Sequence, residues 1–181
     1  MSAVVESFVK STAIALERLH SLARGDDLKL YAILDACGEL RVPEKVLELG
    51  PDRSVSLYRG WAERDYWAIA PYLVKVDEPL LEWVVENLWD GPWGMFVVAN
   101  VELSELRTHF RKFLTVEDPV GEKMYFRFYD PRVLPDFLTT MVQVDLPLFF
   151  GPVSYFIIPT GRAMLQLIEA NGRDRACAEH V

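Results

Sequence analysis

The amino-acid sequence predicts an α/β fold in which a mixed or mostly parallel sheet is flanked by helices. Short apolar runs of strand length alternate along the chain with segments that have the apolar spacing of helices. The chain has 181 residues, of which 51% are hydrophobic, and this is enough for one packed core. We therefore expect a single compact domain over 1–159, followed by a short C-terminal helix or tail over 160–181.

The first part of the domain is predicted to be an amphipathic helix that leads into an α/β core over 28–158. The helix has one apolar face and ends at the polar cluster Arg24-Gly25-Asp26-Asp27. Proline favours the start of a helix, so a short helix is expected from Pro43. The elements predicted up to residue 76 are, in order, the helix 3–23, the strand 28–34, this short helix, the strand 54–58, a helical turn at 61–70 and the strand 72–76.

The second half of the chain alternates more regularly between helix and strand. Apolar spacing after Pro79 predicts a helix, and the near-continuous apolar run from Trp93 to Ala99 predicts a strand covered on both faces. The elements that follow are predicted as a helix from Asn100 to Leu114, a turn at 116–121, an aromatic strand at 124–129, a helix from Pro131, a bend at Gly151-Pro152 leading into a strand, and a helix around 163–170.

Charge and cysteine content limit the classes of partner and compartment. Nineteen basic residues against 27 acidic ones give a net charge of −8, without a basic run. Nucleic acid and anionic membranes are therefore not expected as partners, because both need a basic face. Four charged residues interrupt the N-terminal apolar stretch, so neither a signal peptide nor a membrane span is predicted. Cys37 and Cys177 lie far apart, which indicates a reducing compartment, and we expect a cytoplasmic protein.

The segment MYFRFYDPRVLPDFL, residues 124–138, has the most informative pattern. Arg127 lies inside a predicted aromatic strand, where a charge needs either a partner or access to water. Asp130 precedes a proline, as is typical of a residue that caps the start of a helix. This junction is therefore either a fixed polar strut or a working site.

An enzymatic interpretation uses Asp35 and Asp130, which each follow a predicted strand. Two carboxylates at that edge of a sheet could hold magnesium or share acid–base chemistry, while Arg127 and Arg132 could bind an anionic substrate. The structural interpretation pairs these four residues with one another and with loop backbone. It is favoured because aromatic residues enclose Arg127 on both sides.

Other signs of catalysis are missing from the sequence. No metal-ligand spacing, phosphate-binding loop or nucleophile elbow occurs. His109 is interpreted as a histidine at the surface or boundary of a helix, and Cys37 as a small buried hydrophobic residue. We therefore expect no enzyme activity, no metal ion and no cofactor.

Aromatic residues at two predicted turns are candidates for partner binding. Trp89 and Trp93 flank the turn Asp90-Gly91-Pro92, and Phe149 and Phe150 precede Gly151-Pro152. Turns lie at the surface, and exposed rings rimmed by charge are typical of protein-binding surfaces. The alternative is that these rings belong to the core.

Several segments together resemble one protein family in their order and spacing. They are LYAILDA (30–36), SLYRG (56–60), APYLVKV (70–76), GPWGMFV (91–97), LRTHFRKFLTV (106–116), FRFYDPRVL (126–134) and FFGPV (149–153). Over about residues 28–158 the chain resembles the adaptor chaperones of the bacterial type VI secretion system, whose domain was first catalogued as one of unknown function.

The resemblance implies a protein that is not an enzyme. Such adaptors bind the N-terminal region of a toxic effector and load it onto the valine-glycine-repeat spike protein. The positions that match the signature of the family, which assigns them no catalysis, are Asp35, His109, Arg127, Asp130, Arg132 and Gly151. We expect Asp130 to cap the helix that Pro131 begins, and Arg127 and Arg132 to tie strand, helix and loops together. A small magnesium-dependent hydrolase using Asp35 and Asp130, and an immunity protein, remain alternatives.

Overall fold

A computed structural model describes residues 28–118, 120–142, 144–161, 164–170 and 174–177. The helix predicted over 3–23 lies outside the described residues. The strands in chain order are β1 (Lys29–Asp35), β2 (Ser54–Ser56), β3 (Pro71–Lys75), β4 (Gly94–Ala99), β5 (Thr115–Glu117), β6 (Lys123–Tyr125), β7 (Val153–Gly161), β8 (Met164–Glu169) and β9 (Asp174–Cys177). Seven of them form one sheet in the order β2-β3-β1-β4-β7-β8-β9, and β5 and β6 form a separate two-stranded sheet.

Every neighbouring pair of strands in the described sheets is antiparallel. The prediction of a mixed or mostly parallel sheet is therefore wrong. Both β3 and β4 pair with β1 and run opposite to it, so β3 and β4 run in the same direction with β1 between them. The helix between β3 and β4 is thus a crossover connection, but the two strands that it joins are not neighbours.

Helices cover both faces of this sheet. They are α1 (Arg41–Leu49), α2 (Trp61–Asp65), α3 (Glu78–Asn87), α4 (Leu103–Phe110), α5 (Leu134–Thr140) and α6 (Leu146–Phe150), with a 3₁₀ turn at Trp67–Ile69. The start of α3 shows how local chemistry sets a boundary, because the carboxylate of Asp77 accepts the N–H of Leu80 and Pro79 lies in the first turn. Within the described ranges, no helix is long and apolar enough to cross a membrane.

Two hydrophobic cores lie on opposite faces of the sheet. The first core packs α1 and α3 against one face, where β1 contributes Ala32 and Leu34. The second core packs α4, α5 and α6 against the other face, where β1 contributes Tyr31 and Ile33. Because both faces are covered, β1 and β4 are apolar at nearly every position. The continuous apolar runs of the sequence thus reflect burial on both faces and not the direction of the strands.

Three elements after residue 120 differ from their predicted form. The aromatic strand predicted at 124–129 ends at Tyr125, and the helix predicted from Pro131 begins at Leu134. The segment predicted as a helix around 163–170 is instead strand β8, which pairs with β7.

Candidate functional site

Four of the polar residues noted in the sequence meet where β1 ends. Asp35 is the last residue of β1 and is only 1% exposed. Its Oδ2 accepts a hydrogen bond from Nη2 of Arg127, which also lies 3.7 Å from Oδ2 of Asp130. Arg132 binds Asp130 through two parallel hydrogen bonds, Nε to Oδ1 at 2.9 Å and Nη2 to Oδ2 at 2.7 Å. Carboxylates and guanidinium groups therefore alternate along this network, which we call the Asp-Arg network.

Asp130 closes a turn and does not cap a helix. Its Oδ1 accepts the backbone N–H of Arg132, and its carbonyl oxygen accepts the N–H groups of Val133 and Leu134. This is the pattern of an aspartate that folds a turn on its own backbone. The expectation that Asp130 caps a helix starting at Pro131 is wrong, because the turn over 130–133 intervenes before α5.

Burial and pairing act in opposite directions on the two carboxyl groups. Burial raises the pKa of Asp35 above its usual value, and the N–H of Cys37 and the charge of Arg127 only partly offset this effect. Burial would also raise the pKa of Asp130, but the hydrogen bonds and charge of Arg132 hold it below its usual value. Asp35 therefore depends on Arg127 as its charged partner. Nε of Arg127 is buried and has no hydrogen-bond partner within the described part of the chain.

Two tyrosines that the sequence did not single out lie beside this network. Burial, followed by the charge of Asp35, raises the pKa of the buried Tyr129. Burial also raises the pKa of Tyr58, whose ring centroid lies 4.9 Å from that of Tyr125. Both Tyr58 and Tyr129 thus remain neutral phenols near a buried carboxylate. The aromatic residues on each side of Arg127 in the sequence were the signal that the Asp-Arg network is enclosed by aromatic rings.

His109 and Gly151 form a second contact between signature positions. His109 lies on α4 and is buried, so its interpretation as a surface or boundary residue is wrong. Its Nε2–H donates to the carbonyl oxygen of Phe149 at 2.8 Å, and burial lowers its pKa. Gly151 has φ +52°, and a Cβ added there would lie 2.3 Å from Cε1 of His109. Only glycine fits at this position.

The four aromatic residues proposed for partner binding are not exposed. Trp89 and Trp93 belong to the first core, and Phe149 and Phe150 belong to the second. The phenylalanines lie on the helix α6, on positions that pack into the second core, and not in an exposed turn. The prediction that these four rings are exposed is therefore wrong, and with it the basis for their role in partner binding.

A pair of arginines, Arg107 on α4 and Arg111 directly after it, was missed as a structural feature. Arg111 donates through Nε to the carbonyl of Leu57 at 2.9 Å and through Nη2 to the carbonyls of Ser56 and Tyr58. Arg107 donates to the carbonyl of Ser56 at 3.1 Å, and both guanidinium groups contact Glu63. The spacing of the arginines, four residues apart on one helix face, was the signal in the sequence.

An exposed aromatic patch was also missed. It consists of Trp61, Tyr66, Trp67 and Ile69, which lie in the segment between β2 and β3 that forms α2 and the 3₁₀ turn. These side chains are 61%, 44%, 46% and 46% exposed, and the rings of Trp61 and Tyr66 meet edge to face at 5.5 Å. Large exposed rings in a short segment between two strands are typical of an interaction surface.

The Asp-Arg network does not resemble a magnesium site. A guanidinium group contacts each of the two aspartates, and a cation there would have to displace it. Across the part of the chain that the structure describes, no group of three or more potential ligands could hold a metal ion. Cys37, which we expected to be buried, is exposed and has a free thiol.

Comparison with known proteins gives one match. A family model described as a domain of unknown function (DUF4123) matches residues 30–146, which is more than half of the chain. This range contains every signature position except Gly151. No similar chain was found among the curated proteins, and no similar structure was found among the solved structures. The chain therefore belongs to the family described as a domain of unknown function (DUF4123).

Proposed function

We propose that the protein is a cytoplasmic adaptor chaperone of a type VI secretion system. In this role it binds the N-terminal region of an effector and loads it onto the spike protein. The observation that carries the proposal is the exposed aromatic patch of Trp61, Tyr66, Trp67 and Ile69. The resemblance to the adaptor family supports it, because most of the segments that carry that resemblance fall within the matched range 30–146.

The patch has the composition of a protein-binding surface. Trp and Tyr are enriched at the points of an interface that contribute most of the binding free energy. The four side chains are close in sequence, and Arg64 and Asp65 form an ion pair between them at 2.7 Å. An apolar surface with charged residues beside it suits a partner segment that is apolar with flanking polar residues. The occupant we propose is the N-terminal segment of the effector.

The polar residues of the Asp-Arg network have structural partners, which is consistent with a role in the fold rather than in a reaction. Asp35 binds Arg127, and Asp130 binds Arg132. Among the residues that the structure describes, neither carboxylate is paired with a histidine or hydroxyl group that could act as a nucleophile or proton carrier. The adaptor proposal requires no such chemistry.

The test is to co-express the protein with the N-terminal fragment of the effector that is encoded beside it. We expect a stable complex on size exclusion. Trp61→Ser and Trp67→Ser should each weaken binding at least about tenfold, since central aromatic residues of interfaces often contribute that much. Leu148→Ser is the matched control, because Leu148 is an exposed apolar residue on α6, outside the patch.

Three outcomes separate the proposal from its alternatives. A ternary complex with the spike protein, and loss of effector delivery without the adaptor, would support it. Failure to bind the N-terminal fragment of any neighbouring effector would contradict it. Binding to the catalytic domain of a toxin with loss of toxicity, but normal delivery, would instead indicate an immunity protein.

A further inference from the structure

We infer that the exposed β5–β6 hairpin binds an extended basic segment of the effector as an added strand. This inference rests on the proposed function and names a binding surface and a binding mode for it. It goes beyond the aromatic patch, because the contacts would be made by the main chain of the hairpin and not by its side chains alone. Addition of a strand to an open sheet edge is a recurring mode of peptide recognition.

Within the described residues, no further strand pairs with the hairpin, so both of its edges are open. Val116 and Met124 are register partners, and the flanking bonds Phe126 N–H to Leu114 O and Asp118 N–H to Glu122 O show which pairs are hydrogen-bonded. In an antiparallel ladder such pairs alternate, so Val116 and Met124 bond to each other across the hairpin. The N–H and C=O groups of the remaining strand residues therefore point outward. Within the described ranges these groups have no hydrogen-bond partner, and the residues concerned are Thr115, Glu117, Lys123 and Tyr125.

Both strands of the hairpin are exposed along their whole length. All six strand residues are exposed, and the side chains of Val116 and Met124 place an apolar surface on one face. An open and exposed edge of this kind is a template for pairing with another chain. The edge of the main sheet at β2 differs, because Arg107 and Arg111 occupy the carbonyl groups of 56–58.

The hairpin lies next to the segment that carries the aromatic patch. The ring of Tyr125, on β6, lies 4.9 Å from that of Tyr58, measured between ring centroids. Trp61 follows Tyr58 by three residues, so their Cα atoms are at most about 11 Å apart. An extended segment paired with the hairpin can therefore continue towards the patch. One effector segment could then use the open edge for main-chain contacts and the patch for side-chain contacts.

Charge identifies the chemistry of this segment. The hairpin and its loop carry Glu117, Asp118 and Glu122 and a single basic residue, Lys123. Nζ of Lys123 lies 3.8 Å from Oε1 of Glu117 on the opposite strand. The hairpin is therefore acidic, and the whole chain has a net charge of −8. A basic segment is attracted to such a surface, and an acidic one is repelled. Apolar residues at alternate positions of the segment would cover Val116 and Met124.

The direct test is hydrogen exchange of the full chain, free and bound to the N-terminal effector fragment. Strand addition should slow exchange of the outward amides along one edge, either Thr115 and Glu117 or Lys123 and Tyr125. The inward amides of Val116 and Met124 already have partners, so their exchange should change less. Docking by side chains alone would not produce this alternation between neighbouring residues.

Proline substitutions test the same edges by affinity. Glu117→Pro removes an outward amide of β5, and Lys123→Pro removes one of β6, without removing a bond inside the hairpin. Glu117→Thr and Lys123→Thr are matched controls, since they make the same change in charge but keep the amide. We expect the proline at the occupied edge to weaken binding about tenfold or more relative to its threonine control.

The possible outcomes distinguish this inference from the proposed function. A complex that forms without protection of either edge, and that tolerates both prolines, would overturn the inference and leave the adaptor proposal standing. The absence of any complex would overturn both. Protection of the outward amides in the free protein, increasing with its concentration, would show that the hairpin pairs with a second copy and would also overturn the inference.

Discussion

At the scale of single residues, the pair of Asp35 and Arg127 shows how a distant contact fixes a buried charge. The two residues are 92 positions apart, and their hydrogen bond joins the end of β1 to the turn after β6. Asp35 is almost completely buried, whereas the side chain of Arg127 is 38% exposed. The arginine can thus reach solvent without Asp35, but the carboxylate cannot be solvated without moving.

We predict that Arg127→Met destabilises the protein by about 1–3 kcal/mol at neutral pH. It leaves a buried carboxylate without its charged partner, and the partial exposure of Arg127 keeps the loss within this range. Burial raises the pKa of Asp35 in the folded state, and it will rise further without Arg127. Below the pKa that Asp35 has in the unfolded chain, the carboxyl group is protonated in both states and its burial costs nothing extra. This cost grows as the pH rises from that pKa towards the higher pKa of Asp35 in the folded protein. The loss should therefore be smaller at pH 4 than at pH 7, measured by urea unfolding.

Asp35→Asn provides the matched control for this prediction. It removes the charge but keeps an oxygen that can accept the N–H of Cys37 at 3.0 Å. The double variant Asp35→Asn/Arg127→Met should be more stable at neutral pH than Arg127→Met alone, because no buried carboxylate is then left without a charged partner: Asp130 keeps Arg132. Equal stability of the two variants would contradict the assignment of Arg127 as the partner that Asp35 requires.

His109 and Gly151 show a limit of sequence analysis at this scale. The histidine lies on α4, and the glycine follows α6, so their contact depends on how two helices pack on the second core. Nothing in the local sequence of either residue indicates the other. The Asp-Arg network was easier to anticipate, because a charge inside an aromatic segment requires a partner. Even there, the local form of the turn at Asp130 was predicted incorrectly.

At the scale of elements, the contacts of Arg111 with the end of β2 show how a very short edge strand is held in place. β2 has only three residues and, among the described strands, pairs with β3 alone. The chain leaves the sheet after it, and Arg111 binds three successive carbonyl groups at 56–58. A guanidinium group can bridge several acceptors because its donors lie in one plane.

We predict that Arg111→Met destabilises the protein by about 1–3 kcal/mol, since the carbonyls of Leu57 and Tyr58 lose their side-chain donor and that of Ser56 keeps only Arg107. Arg111→Lys should recover only part of this stability, because an ammonium group cannot reproduce the planar arrangement. Arg107→Met should have a smaller effect, because Arg107 is more exposed and donates to only one of these carbonyls. Melting temperatures rank the stability of the three variants. An equal loss of stability for Arg107→Met and Arg111→Met would contradict the role of Arg111 in holding the end of β2.

Elements with a clear local signal were the easiest to predict from sequence. The helix α3 has a proline and an aspartate cap at its start, and β4 is a continuous apolar run. The strand β8 was predicted as a helix because its short run, MLQLIE, has no strong preference of its own. Pairing with β7 determines its conformation, and that pairing cannot be read from the segment alone. The aromatic residues of α6 were assigned to a turn because Gly151 and Pro152 follow them directly.

At the scale of the whole molecule, the direction of the strands could not be predicted from the order of helices and strands. The alternation of β3, α3 and β4 is typical of parallel neighbours. The sheet instead places β1 between them, which makes each neighbouring pair antiparallel. Both arrangements bury both faces of the central strands and therefore produce the same apolar runs. Only the pairing of distant segments distinguishes them.

The central strands belong to both cores, and this predicts a single cooperative unfolding transition. The side chains of β1 and β4 alternate between the two cores, so that loss of one core exposes part of the other.

Leu81→Ala, in the first core, and Leu106→Ala, in the second, should each lower the free energy of unfolding by about 2–5 kcal/mol. Leu47→Ala, at an exposed position of α1, should lower it by less than about 0.5 kcal/mol. Fluorescence of Trp83, Trp89 and Trp93, which all pack in or against the first core, reports that core once Trp61 and Trp67 are replaced by phenylalanine, and amide exchange along α4 reports the second. Each core substitution should shift the urea midpoint of both reporters equally. Separate midpoints would show that the two faces unfold independently despite their shared strands.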